Sequence, residues 1–192
     1  SQLPDYAHVT LTGGEPLVYK DFRKIFIETN KKFTTNIISN GLLLNEENMQ
    51  LMTSFPNFNV LSLSIDDIGN KNRNVKPEHW KRMEENLKIL KKNKKNNNSK
   101  MLLDAKTVVL DDNADQLFEI YKYLVEQLQV DTHSFQILKG SPVQHADIMF
   151  PYSDIHNKFS AYKYEKFNEI LNQFEKVRKY NLKNKRISYV HP

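Results

Sequence analysis

Five short runs rich in β-branched and other apolar residues recur along this chain, each ending in small polar residues and each separated from the next by a helical pattern: Ala7–Thr12, Thr34–Ser39, Asn59–Asp66, Met101–Leu110 and Ser134–Leu138. A strand that must cross a helix before the next strand cannot form a tight hairpin, so the strands run parallel with right-handed crossovers. The intervening segments carry the 3.6-residue period that buries one face. Phe22, Ile25 and Phe26 share a face in a helix opening at Asp21, and Asn45 is placed to cap the next, with Glu46 and Glu47 in its first turn and Met49 and Met52 inward. Pro77 suits the first turn of a third helix whose Trp80, Met83, Leu87 and Leu90 follow 3-4-3 spacing. Asp112, Asn113 or Asp115 caps a fourth, with Leu117, Ile120, Tyr121, Leu124 and Leu128 inward. The expected fold class is α/β, an incomplete (β/α) barrel or open sheet of about five parallel strands.

The pattern changes after Pro142. A loop to Pro151 carries His145 and Asp147 and reads either as a solvated connection or as a substrate-side element. Ser153 to Tyr180 reads as one long or broken helix with Phe159, Tyr162, Phe167, Ile170, Leu171, Phe174 and Val177 inward, and Arg186 to His191 as a possible short last strand. The expected division is residues 1–142 as the barrel segment and 143–192 as a loop, helix and tail packed on it.

Composition narrows the chemistry. With 192 residues the chain can bury a single core, removing roughly 70% of its unfolded surface from water. The absence of cysteine excludes a disulfide scaffold and a thiolate metal site within this chain. The six histidines lack the short helical spacing and carboxylate clustering of a metal site, so no metal ligands are expected. No apolar run approaches the ~18 residues of a membrane span, and no signal-peptide pattern is present. The net charge of +5 is concentrated at Lys91, Lys92, Lys94 and Lys95 and again between Lys176 and Arg186. Cations at a helix end complement its dipole, and no aromatic residues are interleaved as base-stacking platforms. A basic nucleic-acid-binding module is nonetheless the alternative that this charge raises.

Val9-Thr10-Leu11-Thr12-Gly13-Gly14-Glu15-Pro16-Leu17 is the stretch richest in chemistry. A strand enters a Gly-Gly pair that leaves peptide groups uncovered, followed by a carboxylate suited to an amine and by a proline that redirects the chain. The same residues also serve as a plain strand-to-helix turn. Downstream lie Ser39-Asn40-Gly41, then Ser64-Ile65-Asp66 with Arg73 close behind, then Thr107-Val108-Val109 with Asn113. In this order and at these separations the motifs resemble the radical S-adenosylmethionine (radical SAM) enzyme family over roughly residues 6 to 140. The family's Cys-x3-Cys-x2-Cys loop, which precedes the Gly-Gly-Glu-Pro strand, has no counterpart here.

The resemblance implies a partial barrel of the TIM type that binds S-adenosylmethionine at the strand C-termini. Gly13, Gly14 and Glu15 would hold its amino group, Ser64 and Asp66 its ribose hydroxyls, and Arg73 its carboxylate. Ser39 and Asn40 would contribute beside them, and Val109 or Leu110 would face the adenine. Ser64 and Asp66 as turn caps, Arg73 as a surface charge and Asn113 as a helix cap are the plainer roles for the same residues. In a complete enzyme of this family a [4Fe–4S] cluster, an electron donor and S-adenosylmethionine generate a 5′-deoxyadenosyl radical that abstracts hydrogen from substrate. The catalytic residues of such a reaction are not identifiable from this sequence. The implied substrate is a peptide, a nucleoside or RNA, or a small metabolite, and the implied compartment is the cytoplasm. The chain is accordingly expected to be a fragment lacking the first strand, cluster loop and first helix of a six-strand barrel. A degenerate, cluster-less relative kept for binding or regulation is the other reading, and an unpaired edge at Ala7–Thr12 is expected to favour association.

Overall fold

The computed structural model describes residues 3–4, 6–137, 164–186 and 188–191. Its six strands are β1 (His8–Leu11), β2 (Thr34–Ser39), β3 (Phe58–Ser64), β4 (Leu102–Val109), β5 (Thr132–Ile137) and β6 (Tyr189–His191). They form one sheet in the order β1-β2-β3-β4-β5-β6, with every neighbouring pair parallel. The helices are α1 (Phe22–Asn30), α2 (Glu46–Ser54), α3 (Pro77–Asn96), α4 (Leu117–Glu126) and α5 (Phe167–Asn184). The alternation read from the sequence is therefore present, and the short C-terminal run supplies β6 beside β5.

Strand periodicity divides the sheet into two faces. On the helix side, Ile37, Leu61, Leu63, Leu103, Ala105, Val109 and Phe135 are buried against Phe26, Met49, Met83, Leu87, Ile120 and Leu124. Phe26 meets Phe55 and Phe58 edge-on at 5.6 and 5.2 Å between ring centres, geometry that aromatic quadrupoles favour. Trp80, Met83, Leu87 and Leu90 are all buried, as their spacing on α3 requires.

Several local expectations are corrected. Ile25 is 40% exposed because α1 turns Phe22, Phe26 and Asn30 inward, a strict four-residue step that leaves Ile25 off the seam. On α5 the buried stripe is Ile170, Gln173, Val177 and Asn181, so Phe167 and Leu171 are exposed, and the helix continues past Tyr180 to Asn184. It stops where Lys185 adopts a left-handed conformation at φ 53°. β5 begins at Thr132, two residues before the expected start, because Thr132 already pairs in parallel register with Asp104 of β4, and its hydroxyl also donates to Asp104 Oδ1 at 2.8 Å. α4 is preceded by Gln116 instead of by an Asp or Asn cap, since Asp111–Asn113 forms a separate 3-10 turn. The loop bearing His145 and Asp147, and Phe159 and Tyr162, lie outside the described residues.

Candidate functional site

Parallel strands finish at one edge, and here that rim gathers the ends of β1, β2, β3 and β4. Beyond β1, Gly13 adopts φ 142°, which side-chain-bearing residues rarely do, and a Cβ placed on Gly13 or Gly14 would meet nothing within 4 Å. The main chain is thus open to an approaching molecule. Glu15 then caps the 3-10 turn Pro16–Val18, its Oε1 accepting from Leu17 N at 3.2 Å.

The Glu15 carboxylate is fixed mainly from the neighbouring strand. Ser39 Oγ donates to Oε1 at 2.8 Å, and the Asn40 backbone N–H donates to Oε2 at 2.8 Å. Ser39 Oγ itself accepts from Gly41 N at 2.9 Å, so its orientation is set from both sides. A carboxylate offers about four acceptor positions, and these contacts use three. One position on Oε2 has no donor among the described residues. Asn40 Oδ1 accepts from Leu42 N at 2.9 Å, turning the chain at the end of β2. Gly41 sits at φ 75°, and a Cβ there would come within 3.0 Å of Leu63 Cδ2 and 3.1 Å of Met83 Sδ, so glycine is required for conformation and space alike.

At the ends of β3 and β4 the structure gives the expected residues different partners. Asp66 Oδ2 accepts from Arg73 Nε at 2.7 Å and Nη2 at 2.6 Å, and Asp66 Oδ1 accepts from Val108 N at 2.9 Å. The Asp66 carboxylate is thereby engaged in tying the following loop to β4. Val109 is fully buried on the helix side and offers a ligand no side-chain surface. Leu110, one residue on and still extended, alternates to the opposite face. Ser64 is half-buried on the concave face, in register with Lys106 of β4.

Two buried asparagines hold this end together. Asn70, fully buried at φ 49°, accepts from Asp66 N at 3.1 Å and donates to Ser64 O at 3.1 Å. Asn113 donates to Asp66 O and Val108 O at 2.8 and 2.9 Å and accepts from Leu110 N at 2.9 Å. Asp67 accepts from Lys71 N and Asn72 N at 2.7 and 2.9 Å, which shapes the turn presenting Arg73. Sequence reading missed Asn70. The available signal was an Asn directly after Gly69 in a polar loop, a residue type that tolerates left-handed backbone.

Below the rim the concave face forms an open cavity of about 310 Å3 whose lining includes Asn36, Ile38, Ser62, Asp104, Lys106 and Ser134. Asp104 is buried and satisfied by the Ser62 hydroxyl at 2.7 Å and the Thr132 hydroxyl at 2.8 Å. A larger cavity of about 630 Å3 runs along α5 between Phe135, Phe174, Val177 and Leu182, and no motif residue lines it. Among the described residues no group of three or more His, Asp or Glu is placed to hold a metal ion, and no helix is long and apolar enough to cross a membrane.

Comparison with known proteins follows the same outline. The family model described as the Radical SAM superfamily matches residues 2–124. The sporulation killing factor maturation protein SkfB of Bacillus subtilis (strain 168) is 37% identical over 65 residues, 33% of this chain and 16% of that protein. Among solved structures, Streptococcus suis SuiB bound to precursor peptide SuiA superposes with a TM-score of 0.66 at 16% identity, covering 96% of this chain and 38% of that one. Native anSMEcpe with bound AdoMet and Cp18Cys peptide gives 0.65 at 18% identity, covering 98% and 51%. At these identities the structural likeness establishes the fold. The chain spans about half or less of each of these relatives.

Proposed function

Because the chain belongs to the radical SAM superfamily, we propose that it is the portion of a peptide-modifying enzyme that seats S-adenosylmethionine at the β1–β4 rim. One observation carries the reading: Glu15 is locked by Ser39 and Asn40 with an acceptor position left over, beside glycine backbone that nothing covers. That arrangement suits a primary ammonium group. Gly13 and Gly14 supply carbonyl acceptors, Glu15 the compensating charge, and Ser39 with Asn40 keep the carboxylate from turning away. Ser64 reaches the same space from β3 with a hydroxyl suited to a ribose. Arg73 keeps its Nη1 donors for a carboxylate while Asp66 fixes its other edge, so Asp66 acts by positioning Arg73. Leu110 takes the apolar contact with adenine, Val109 being withdrawn behind it.

When bound and reduced by one electron, S-adenosylmethionine supplies hydrogen-abstracting radical chemistry. Of the residues described here, Glu15, Ser39, Asn40, Ser64 and Arg73 would bind it and orient it. They do not fit the [4Fe–4S] cluster, because the chain contains no cysteine to provide thiolates. We assign those ligands to polypeptide outside Ser1–Pro192. A peptide substrate is supported by the peptides that the SuiB and anSMEcpe structures hold.

The test is to read the gene upstream of the Ser1 codon and to reconstitute the encoded protein anaerobically with iron, sulfide and reductant. A Cys-x3-Cys-x2-Cys motif within about 60 residues upstream, a span that accommodates two strands and a helix, and formation of 5′-deoxyadenosine are the expected results. An initiation codon next to Ser1 with no such motif overturns the catalytic reading and leaves a binding or regulatory protein.

A further inference from the structure

We propose that Lys106, on the concave face of the sheet, is a specificity-determining residue that binds a carboxylate of the substrate, such as an acidic side chain of a peptide. Lys106 lies on β4 between Ser64 of β3 and Ser134 of β5, with which it is in register, and it lines the 310 Å3 cavity. Among the described residues no acidic group comes within ion-pairing distance of its ammonium. The nearby acid on the same face, Asp104, is instead held by the hydroxyls of Ser62 and Thr132. A cation on the wall of a cavity whose own carboxylate is already satisfied leaves a position for an incoming anion, and the Ser134 hydroxyl beside it supplies a further donor.

The source of that anion follows from spacing. β4 is three strands from β1, roughly 14 Å at about 4.8 Å per strand. An S-adenosylmethionine carboxylate shares a carbon with the amino group, so a cofactor anchored at Glu15 keeps its carboxylate at the β1–β3 side of the rim. The carboxylate that meets Lys106 therefore belongs to another molecule. This step rests on the cofactor placement proposed above, and the experiment separates the two.

The ¹⁵N-labelled chain is titrated with N-acetyl-L-glutamic acid N-methylamide, with its glutamine counterpart, and with S-adenosylmethionine, following backbone amides. The glutamate compound is expected to shift Ser64, Lys106 and Ser134, with the glutamine compound at least about tenfold weaker, as loss of a charged hydrogen bond implies. K106M is expected to abolish those shifts while the rest of its spectrum stays that of the folded protein, and K106R to retain them. Equal response to both compounds, an unchanged response in K106M, loss of the response in K106R as well as in K106M, or no response at all, overturns the proposal. If K106M weakens S-adenosylmethionine binding instead, Lys106 serves the cofactor and the proposal fails while the cofactor reading stands. Shifts from the glutamate compound without any from S-adenosylmethionine leave the Lys106 site intact and remove the cofactor reading.

Discussion

A buried side-chain amide can satisfy several stranded backbone groups at once, and Asn113 does so at the ends of two strands. At roughly 1 kcal/mol for each hydrogen bond, Asn113→Ala is expected to destabilise the fold by about 2–4 kcal/mol, because it removes three hydrogen bonds made by a buried side chain. Urea denaturation checks this as a lowered midpoint at unchanged slope; a loss below about 0.5 kcal/mol would show that these groups find other partners. Asn113 was legible in the sequence as an important position, but as a helix cap. The difference is that its amide turns back toward β3 and β4, and the side-chain direction of one Asn in a polar turn has no sequence signature. Glu15 was read as a carboxylate beside exposed glycine backbone, and Ser39 and Asn40 were named from motif resemblance. Their mutual hydrogen bonds depend on β1 and β2 lying side by side in parallel register, which only the assembled sheet supplies.

At the scale of elements, α4, β5 and α5 meet around His133, which packs 4.4 Å from the Phe135 ring and 5.2 Å from Tyr121. Thr107 Oγ1 donates to Ile65 O at 2.7 Å and so accepts from His133 Nε2 at 3.0 Å, which places the ring proton on Nε2. Nδ1 is buried with no partner. Burial pushes the His133 pKa down from 6.5 to about 3. A histidine with a depressed folded pKa takes up protons on unfolding, so its neutral form contributes stability that is complete above about pH 6.5. That contribution is lost progressively as pH falls from 6.5 towards 3. His133→Leu is expected to flatten the dependence of unfolding free energy on pH across this window relative to the unsubstituted chain. Parallel curves for the two proteins would contradict it. The helix faces themselves were readable where apolar spacing is dense, as on α3. They were misread where polar residues join the seam, since Asn30, Gln173 and Asn181 are buried and no hydrophobic period includes them.

For the whole molecule, the strand-helix alternation was enough to give a parallel sheet, because helical crossovers leave few other topologies. What it could not give was the content of the concave face. Ser62, Asp104 and Lys106 sit inside short apolar runs and Thr132 just ahead of one, and only alternation about a known register brings them into one cavity. The same register places the family motifs at one end of the sheet, which is the basis for reading that end as the cofactor seat. Titration of the chain with S-adenosylmethionine, followed by backbone amide shifts, tests that claim most directly. The account predicts saturable binding with shifts confined to Gly13, Gly14, Glu15, Ser39, Asn40, Ser64, Arg73 and Leu110 and their immediate neighbours, and loss of at least about tenfold in affinity in E15A, as expected for a charged hydrogen bond. Absence of saturable binding, or shifts clustered around Phe174 and Val177 in the α5 cavity with none at the glycine pair, would contradict it.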